Sequence, residues 1–114
     1  MRPEYRDQAS GLIRWYSPGE GGRPNGPPSG PSYASTAVFA DASMDREVQQ
    51  IVNVEPYSVV VTFGKSDGKG RTEAKFRFLA LDVMGSRLQP GATFYLMEGS
   101  HVVGEALVIE LLKL

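Results

Sequence analysis

The chain contains no cysteine. That excludes a disulfide framework, a thiol nucleophile and every thiolate metal site, and it fits a reducing compartment. Histidine is almost as scarce: His101 stands alone, so no metal site can be built on a pair of imidazoles. Neither sign of charge is in surplus, with 12 Lys and Arg against 13 Asp and Glu for a net charge of −1. A protein whose main work is holding a phosphate backbone usually carries extra positive charge, which ranks nucleic acid below protein as a partner. No run approaches the roughly 18 consecutive apolar residues of a membrane span, and the polar N-terminus has no apolar stretch of the kind found in secretion signals. The expectation is a soluble, cytoplasmic protein with no membrane partner. A GxxxxGK[ST] phosphate loop is also missing, because Gly19, Gly21 and Gly22 lack the lysine that would reach a phosphate. GTP hydrolysis by that route is not expected.

What is present fits one domain. The 114 residues, 41% of them hydrophobic, can enclose a single modest core. Residues 1–11 form a polar lead expected to be poorly ordered, and residues 12–114 carry the fold. Leu12–Tyr16 is a short apolar and aromatic run that stops at Pro18, a strand signal. Then comes the most unusual stretch of the chain, Ser17–Tyr33, with ten glycines and prolines in seventeen residues. It can form neither a helix interior nor a central strand, since Gly costs backbone entropy and Pro removes a donor. Ala34–Ala40 is a second strand, and Asp41–Gln50 reads as a loop with one turn.

Tyr57–Phe63 is β-branched or aromatic at every position but Ser58. A Gly-rich connection, Gly64–Thr72, leads into a strand that alternates cleanly: Ala74, Phe76, Phe78 and Ala80 on one face, Glu73, Lys75 and Arg77 on the other. Ser86–Gly91 is a turn, Thr93–Met97 a strand, and Glu98–His101 a tight reversal. The last segment, Val102–Leu114, is apolar on both parities. Its composition would suit a helix, but its context favours a strand buried on both sides where a barrel closes. These spacings imply an all-β fold: a closed six-stranded antiparallel barrel of Greek-key type.

Two separated motifs carry a resemblance. Near the front, a strand is followed by Glu20, Gly21, Gly22 and Arg23, a Gly/Pro-rich loop and another strand. Near the end, Pro90 and Gly91 precede a strand, a Glu98-Gly99 reversal, and a Val103-Gly104 step into the terminal strand. This pattern resembles the C-terminal (third) domain of translation elongation factor Tu, here as a free-standing domain. The resemblance implies a Gly/Pro segment that folds against the barrel as a shaped loop, with contacts to aminoacyl-tRNA near these loops. The sequence departs from the family at Pro24, where the family has His, and at His101, where it has Arg.

The candidate binding residues flank that loop: Arg14, Trp15 and Tyr16 before it, Glu20 and Arg23 within it, and His101 in the last reversal. Trp15 and Tyr16 fall on opposite strand faces, so one belongs to the core and the other is expected to be exposed beside Arg14 and Arg23. Trp, Tyr and Arg are the residues enriched at interface hot spots. Lys65, Lys69 and Arg71, with Lys75 and Arg77 behind them, form a basic hairpin that could meet phosphates but more often serves solubility. His101 reads as an exposed turn residue. Glu20, Asp41, Asp45, Glu47 and Glu55 read as solvated loop charges, since nothing pairs them for acid–base work. No catalytic residue, metal or cofactor is expected. The chain reads as a non-catalytic module for a protein partner, with structured RNA or tRNA as the alternative.

Overall fold

Alternation of side chains is what makes this chain a barrel. In the strand Arg71–Phe78, residues Ala74, Phe76 and Phe78 are buried while Arg71, Glu73 and Lys75 face solvent, the pattern of a sheet with one dry face and one wet one. The computed structural model describes residues 6–24, 26–39, 56–79, 87–99 and 101–112. Among them are six strands: β1 (Ala9–Trp15), β2 (Ser32–Phe39), β3 (Tyr57–Ser66), β4 (Arg71–Phe78), β5 (Thr93–Glu98) and β6 (His101–Leu111), with one short 3-10 turn at Pro18–Glu20 and no α-helix. All pairings are antiparallel, and the order β1-β4-β3-β2-β5-β6 closes on itself. β1 lies beside β4 although the chain runs from β1 to β2 by a long loop. That is the Greek-key arrangement. The predicted turn at Asp41–Gln50 lies outside the described residues.

The barrel interior is filled by inward residues of all six strands, among them Ile13, Val59, Val61, Phe76, Phe78, Phe94 and Leu96. Phe94 is in edge contact with Phe76 and Phe78, with ring centroids 5.0 and 5.3 Å apart. At the opposite end of the barrel, Trp15, Tyr33 and Phe63 form a second aromatic group, with Trp15 edge-on to both neighbours at 5.9 and 6.0 Å. Each fully buried ring contributes about 1.5–3 kcal/mol relative to exposure.

Three expectations need correction. First, β1 begins at Ala9 rather than Leu12, inside the residues read as a polar lead. Gln8, only 2% exposed, explains why: its side-chain Nε2 donates to the Phe78 carbonyl at 3.0 Å, and the Phe78 N–H donates to its Oε1 at 2.9 Å. The amide side chain copies a strand pairing. Its own N–H donates to the Phe76 carbonyl, and its carbonyl accepts from Leu112.

Second, the terminal segment is a strand, as context favoured, but it is not buried on both sides. Ala106 and Val108 face the core, whereas Leu107, Ile109 and Leu111 are 40%, 53% and 41% exposed. β1 on one side and β5 on the other use its backbone groups, leaving none to a helix. A β-carbon on Gly11 would lie 1.9 Å from the Leu107 carbonyl oxygen, so the β1–β6 register at its irregular step requires glycine there. Third, Tyr16 is not exposed. It is 3% accessible and joins Val38, Tyr95, Met97 and Val102 in an apolar cluster on the outside of the barrel.

Gln8→Leu keeps the volume but strands the Phe78 N–H and carbonyl in a dry environment. A buried pair left unsatisfied costs about 1–3 kcal/mol. Urea denaturation of the variant should show a lowered midpoint with an unchanged slope; an unchanged midpoint would mean Gln8 does not hold the β1–β4 junction.

Candidate binding cleft

Strand register brings the singled-out residues to one end of the barrel. β1 finishes there at Trp15, the β3–β4 tip turns there at residues 67–70, and β5 ends there at Glu98 opposite His101. The Gly/Pro segment crosses the same end, because β1 lies between β4 and β6 while β2 lies between β3 and β5. Loops gathered on a rigid scaffold are where binding usually resides.

The segment is pinned locally first. Ser17 N–H donates to the Glu20 carboxylate at 3.0 Å, and the Ser17 carbonyl accepts from the backbone N–H groups of Glu20 and Gly22. Gly21 sits at φ +91°, and a β-carbon on Gly22 would lie 2.0 Å from the Tyr16 carbonyl oxygen. The Glu-Gly-Gly sequence is thus the chemistry of one tight turn. The Ser17 N–H and the Arg14 guanidinium hold the Glu20 carboxyl below its ordinary value.

Arg14 is the centre of a small network. Its Nη1 donates to Glu20 Oε2 at 3.2 Å, its Nε to Glu105 Oε1 at 3.1 Å, and its guanidinium lies 4.8 Å over the Tyr16 ring. Tyr16 Oη closes the ring of contacts on Glu105 Oε2 at 3.1 Å. Burial works against the Arg14 charge, but the hydrogen bonds and charges of Glu105 and Glu20 outweigh it and raise its pKa. Its third nitrogen, Nη2, is buried with no hydrogen-bond partner among the described residues.

A second network ties the two sequence motifs together. Arg23 Nε lies 2.7 Å from Glu98 Oε2, Tyr33 Oη donates to the same oxygen, and Arg23 Nη1 donates to the Gly26 carbonyl at 3.1 Å. The arginine of the first motif therefore meets the glutamate of the last reversal across residues 23 and 98. Burial, followed by the hydrogen bond to Glu98, pushes the Tyr33 hydroxyl up to about 12.

Between the Gly/Pro loop and the β3–β4 tip opens a cleft of about 760 Å³. Pro27, Pro28 and Gly30 form one wall, Gly68, Lys69 and Arg71 the other, and Arg14, Trp15, Tyr16 and Glu20 the side where β1 ends. The basic tip is ordered by Asp67, whose Oδ1 accepts the backbone N–H groups of Lys69 at 2.7 Å and Arg71 at 3.1 Å. These bonds, that from Lys69 first, hold the Asp67 carboxyl below its ordinary value of 3.8.

The sequence candidates thus divide. Arg14, Trp15, Tyr16, Glu20, Lys69 and Arg71 share the cleft, whereas Arg23, His101 and Lys65 do not line it. Arg23 works one step back, by fixing the loop. His101 is exposed and opposite Glu98 at the start of β6, and Pro90 and Gly91 lie in the turn before β5 at the far end. Gly99 is in the β5–β6 reversal, and Gly104 is opposite Trp15. The exposed aromatic expected beside Arg14 and Arg23 is not there, since Trp15 is 5% accessible and Tyr16 lies under the outer cluster. Asp41, Asp45, Glu47 and Glu55 fall outside the described residues, among which no group of three His, Asp or Glu is placed to hold a metal.

Glu105 and Tyr33 were not singled out from the sequence. Glu105 had a visible signal, a charge at the outward parity of an otherwise apolar strand. Only the register shows why it is there: it pairs directly opposite Arg14.

Tyr33 supplies a pH test. Its folded-state value lies above the ordinary 10.0, so the stability it contributes is complete below pH 10 and is lost as the pH rises through about 12. Wild-type protein should lose stability across that window, and Tyr33→Phe should lack this component. Superimposable pH–stability curves for the two proteins would show that the Tyr33–Glu98 bond contributes nothing.

No protein-family model matches the chain, and no curated protein matches it.

Proposed function

We propose that this chain is a non-catalytic binding module, a barrel like the C-terminal domain of elongation factor Tu, that engages a protein partner through the loop-covered end of the barrel and is linked to translation. The observation that carries this reading is the cleft itself. Two features that looked unrelated in the sequence, the Gly/Pro loop and the basic β3–β4 tip, are its two walls. The resemblance draws support from the Arg23–Glu98 pair, because two motifs seventy-five positions apart use their charged members on each other.

A non-catalytic role fits the state of the acids. Glu20 and Glu105 are ion-paired to Arg14, and Glu98 to Arg23, so each carboxylate is engaged by an arginine of the same end of the barrel. The RNA reading keeps one observation in its favour, the presence of Lys69 and Arg71 in the cleft. Against it stand the net charge of −1 and the carboxylates of Glu20, Glu98 and Glu105 around the same end. A phosphate backbone, with a charge on every nucleotide, would meet these carboxylates along its length, as a single anionic side chain placed at Arg71 would not.

The test is affinity capture by tagged protein from cells of the native organism at about 0.15 M salt, with and without nuclease. A stoichiometric protein should persist after nuclease, be a component of the translation apparatus, and be lost with Arg71→Glu. Capture that disappears with nuclease would replace this reading with the RNA one.

A further inference from the structure

The register places two arginines face to face on the outside of the barrel. Arg14 of β1 is the direct partner of Arg71 of β4, and like charges directly opposite each other in an antiparallel pair are unfavourable. Glu105, on the other side of Arg14, and Glu20 are ion-paired to Arg14. The side chains of Arg71 and Lys69 form no ion pair with a carboxylate among the described residues; the Asp67 charge acts on both from nearby while its Oδ1 accepts their backbone N–H groups. The Arg14 Nη2 is also left without an acceptor. An anion seated between Arg14 and Arg71 would relieve the repulsion between the two guanidinium groups.

The next row on the same outer face holds the exposed Glu73 of β4 beside Leu12 of β1, with an apolar half on the β6 side. Leu12 is two residues before Arg14 on β1, and its partner on β6 is Leu107, 40% exposed. A groove of about 470 Å³ runs over both rows, lined among others by Leu12, Leu107, Arg14, Arg71 and Glu105, the last already ion-paired to Arg14. Arg14 and Arg71 line this groove and the cleft alike, so the two form one continuous surface. The rows are two residues apart along a strand, about 7 Å, which is also the repeat of same-side residues in an extended peptide.

Building on the protein-binding reading above, we infer that the partner contributes an extended segment in which an Asp or Glu and a Leu, Ile or Met stand two positions apart. The carboxylate sits between Arg14 and Arg71, and the aliphatic side chain covers Leu12 and Leu107. A carboxylate fits a guanidinium in a way a point charge does not, and an aliphatic subsite beside it has no use for a nucleic-acid backbone. The occupant is therefore a peptide. Its main chain needs no edge strand, since the closed barrel offers none; side chains alone read the surface.

A phage-displayed random dodecapeptide library, selected on the immobilised full chain, tests this. Enriched peptides should carry an acid and an aliphatic residue at that spacing. Arg71→Glu should reduce their recovery at least about tenfold, the equivalent of 1.4 kcal/mol, while Leu107→Thr should remove the aliphatic preference and leave the acidic one. Arg71→Gln serves as a second variant should charge reversal disturb the strand, and Leu79→Thr, at another exposed leucine, should change nothing. Circular dichroism confirms that each variant is folded. Enrichment of basic or proline-rich peptides, recovery indifferent to both Arg71 and Leu107, or no enrichment at all would overturn the inference. So would displacement of the selected peptides by bulk RNA, which would assign the arginine row to phosphates. The proposed function stands or falls separately, on whether a protein is captured after nuclease.

Discussion

Everything at the loop-covered end of this molecule depends on β1 pairing with two strands at once. β1 is the closing member of the barrel, hydrogen-bonded to β4 on one side and β6 on the other. Those two pairings bring residues about sixty and ninety positions away in the chain against residues 9–15, so they carry a loop-closure cost that only a well-filled interior offsets. Phe76 and Val108, buried beside Gly11 and Ile13, supply that filling. Gly11 permits the close approach to Leu107, and Gln8 adds a side-chain copy of a strand bond at the entry. Once β1 is in place, the loop that leaves it has no route to β2 except across the barrel's end.

The charge arrangement follows from the same register. Arg14 falls between Arg71 and Glu105 in one cross-strand row, and the chain after β1 turns back so that Glu20 also reaches it. Three charges and Tyr16 are thereby locked together at the lip of the cleft, partly out of water. Pairs exposed to solvent are worth little individually, but here one guanidinium serves two carboxylates and stacks on a ring that is itself buried. Ordering one side chain satisfies several partners, so the entropy cost per contact is lower than for isolated pairs. Arg71, outside this network, is left with its charge facing outward.

How much of this was legible in the residues depended on how local the signal was. The alternation of Glu73-Ala-Lys-Phe-Arg-Phe78 was sufficient to predict β4 and its buried face, since period two needs no partner to be visible. The number of strands and the closed antiparallel barrel followed from turn chemistry between such runs. β6 was misread as buried on both sides because a strand apolar on both parities looks the same whether its outer face is covered or not. Tyr16 failed for the opposite reason. Parity correctly put it outside the barrel, but the outside carries an apolar cluster of its own, assembled from β2, β5 and β6. Gln8 was invisible because its partner, Phe78, is seventy positions away, and a glutamine in a polar stretch gives no sign that it will be dry. Of the site, the residues were readable and the groupings were not: nothing in the order of the chain says that Pro27 faces Arg71, or that Arg23 answers Glu98.

The Gly/Pro loop shows how such a segment can shape a cleft without secondary structure. Its first half is fixed at Ser17, Glu20, Gly22 and Arg23, and its end is fixed by the Pro31 carbonyl, which accepts from Phe63 N–H at 3.1 Å. Between these points Gly26 and Gly30 take positive φ, +83° and +99°, and bend the chain around Pro27 and Pro28. Glycine supplies the two corners and proline stiffens the span between them, which lowers the entropy lost when the loop is held in one shape. The width of the cleft is therefore controlled from Arg23 and Glu98, which do not line it. A change in that ion pair would alter the distance between the wall at Pro27 and the wall at Arg71 without changing any residue of either wall.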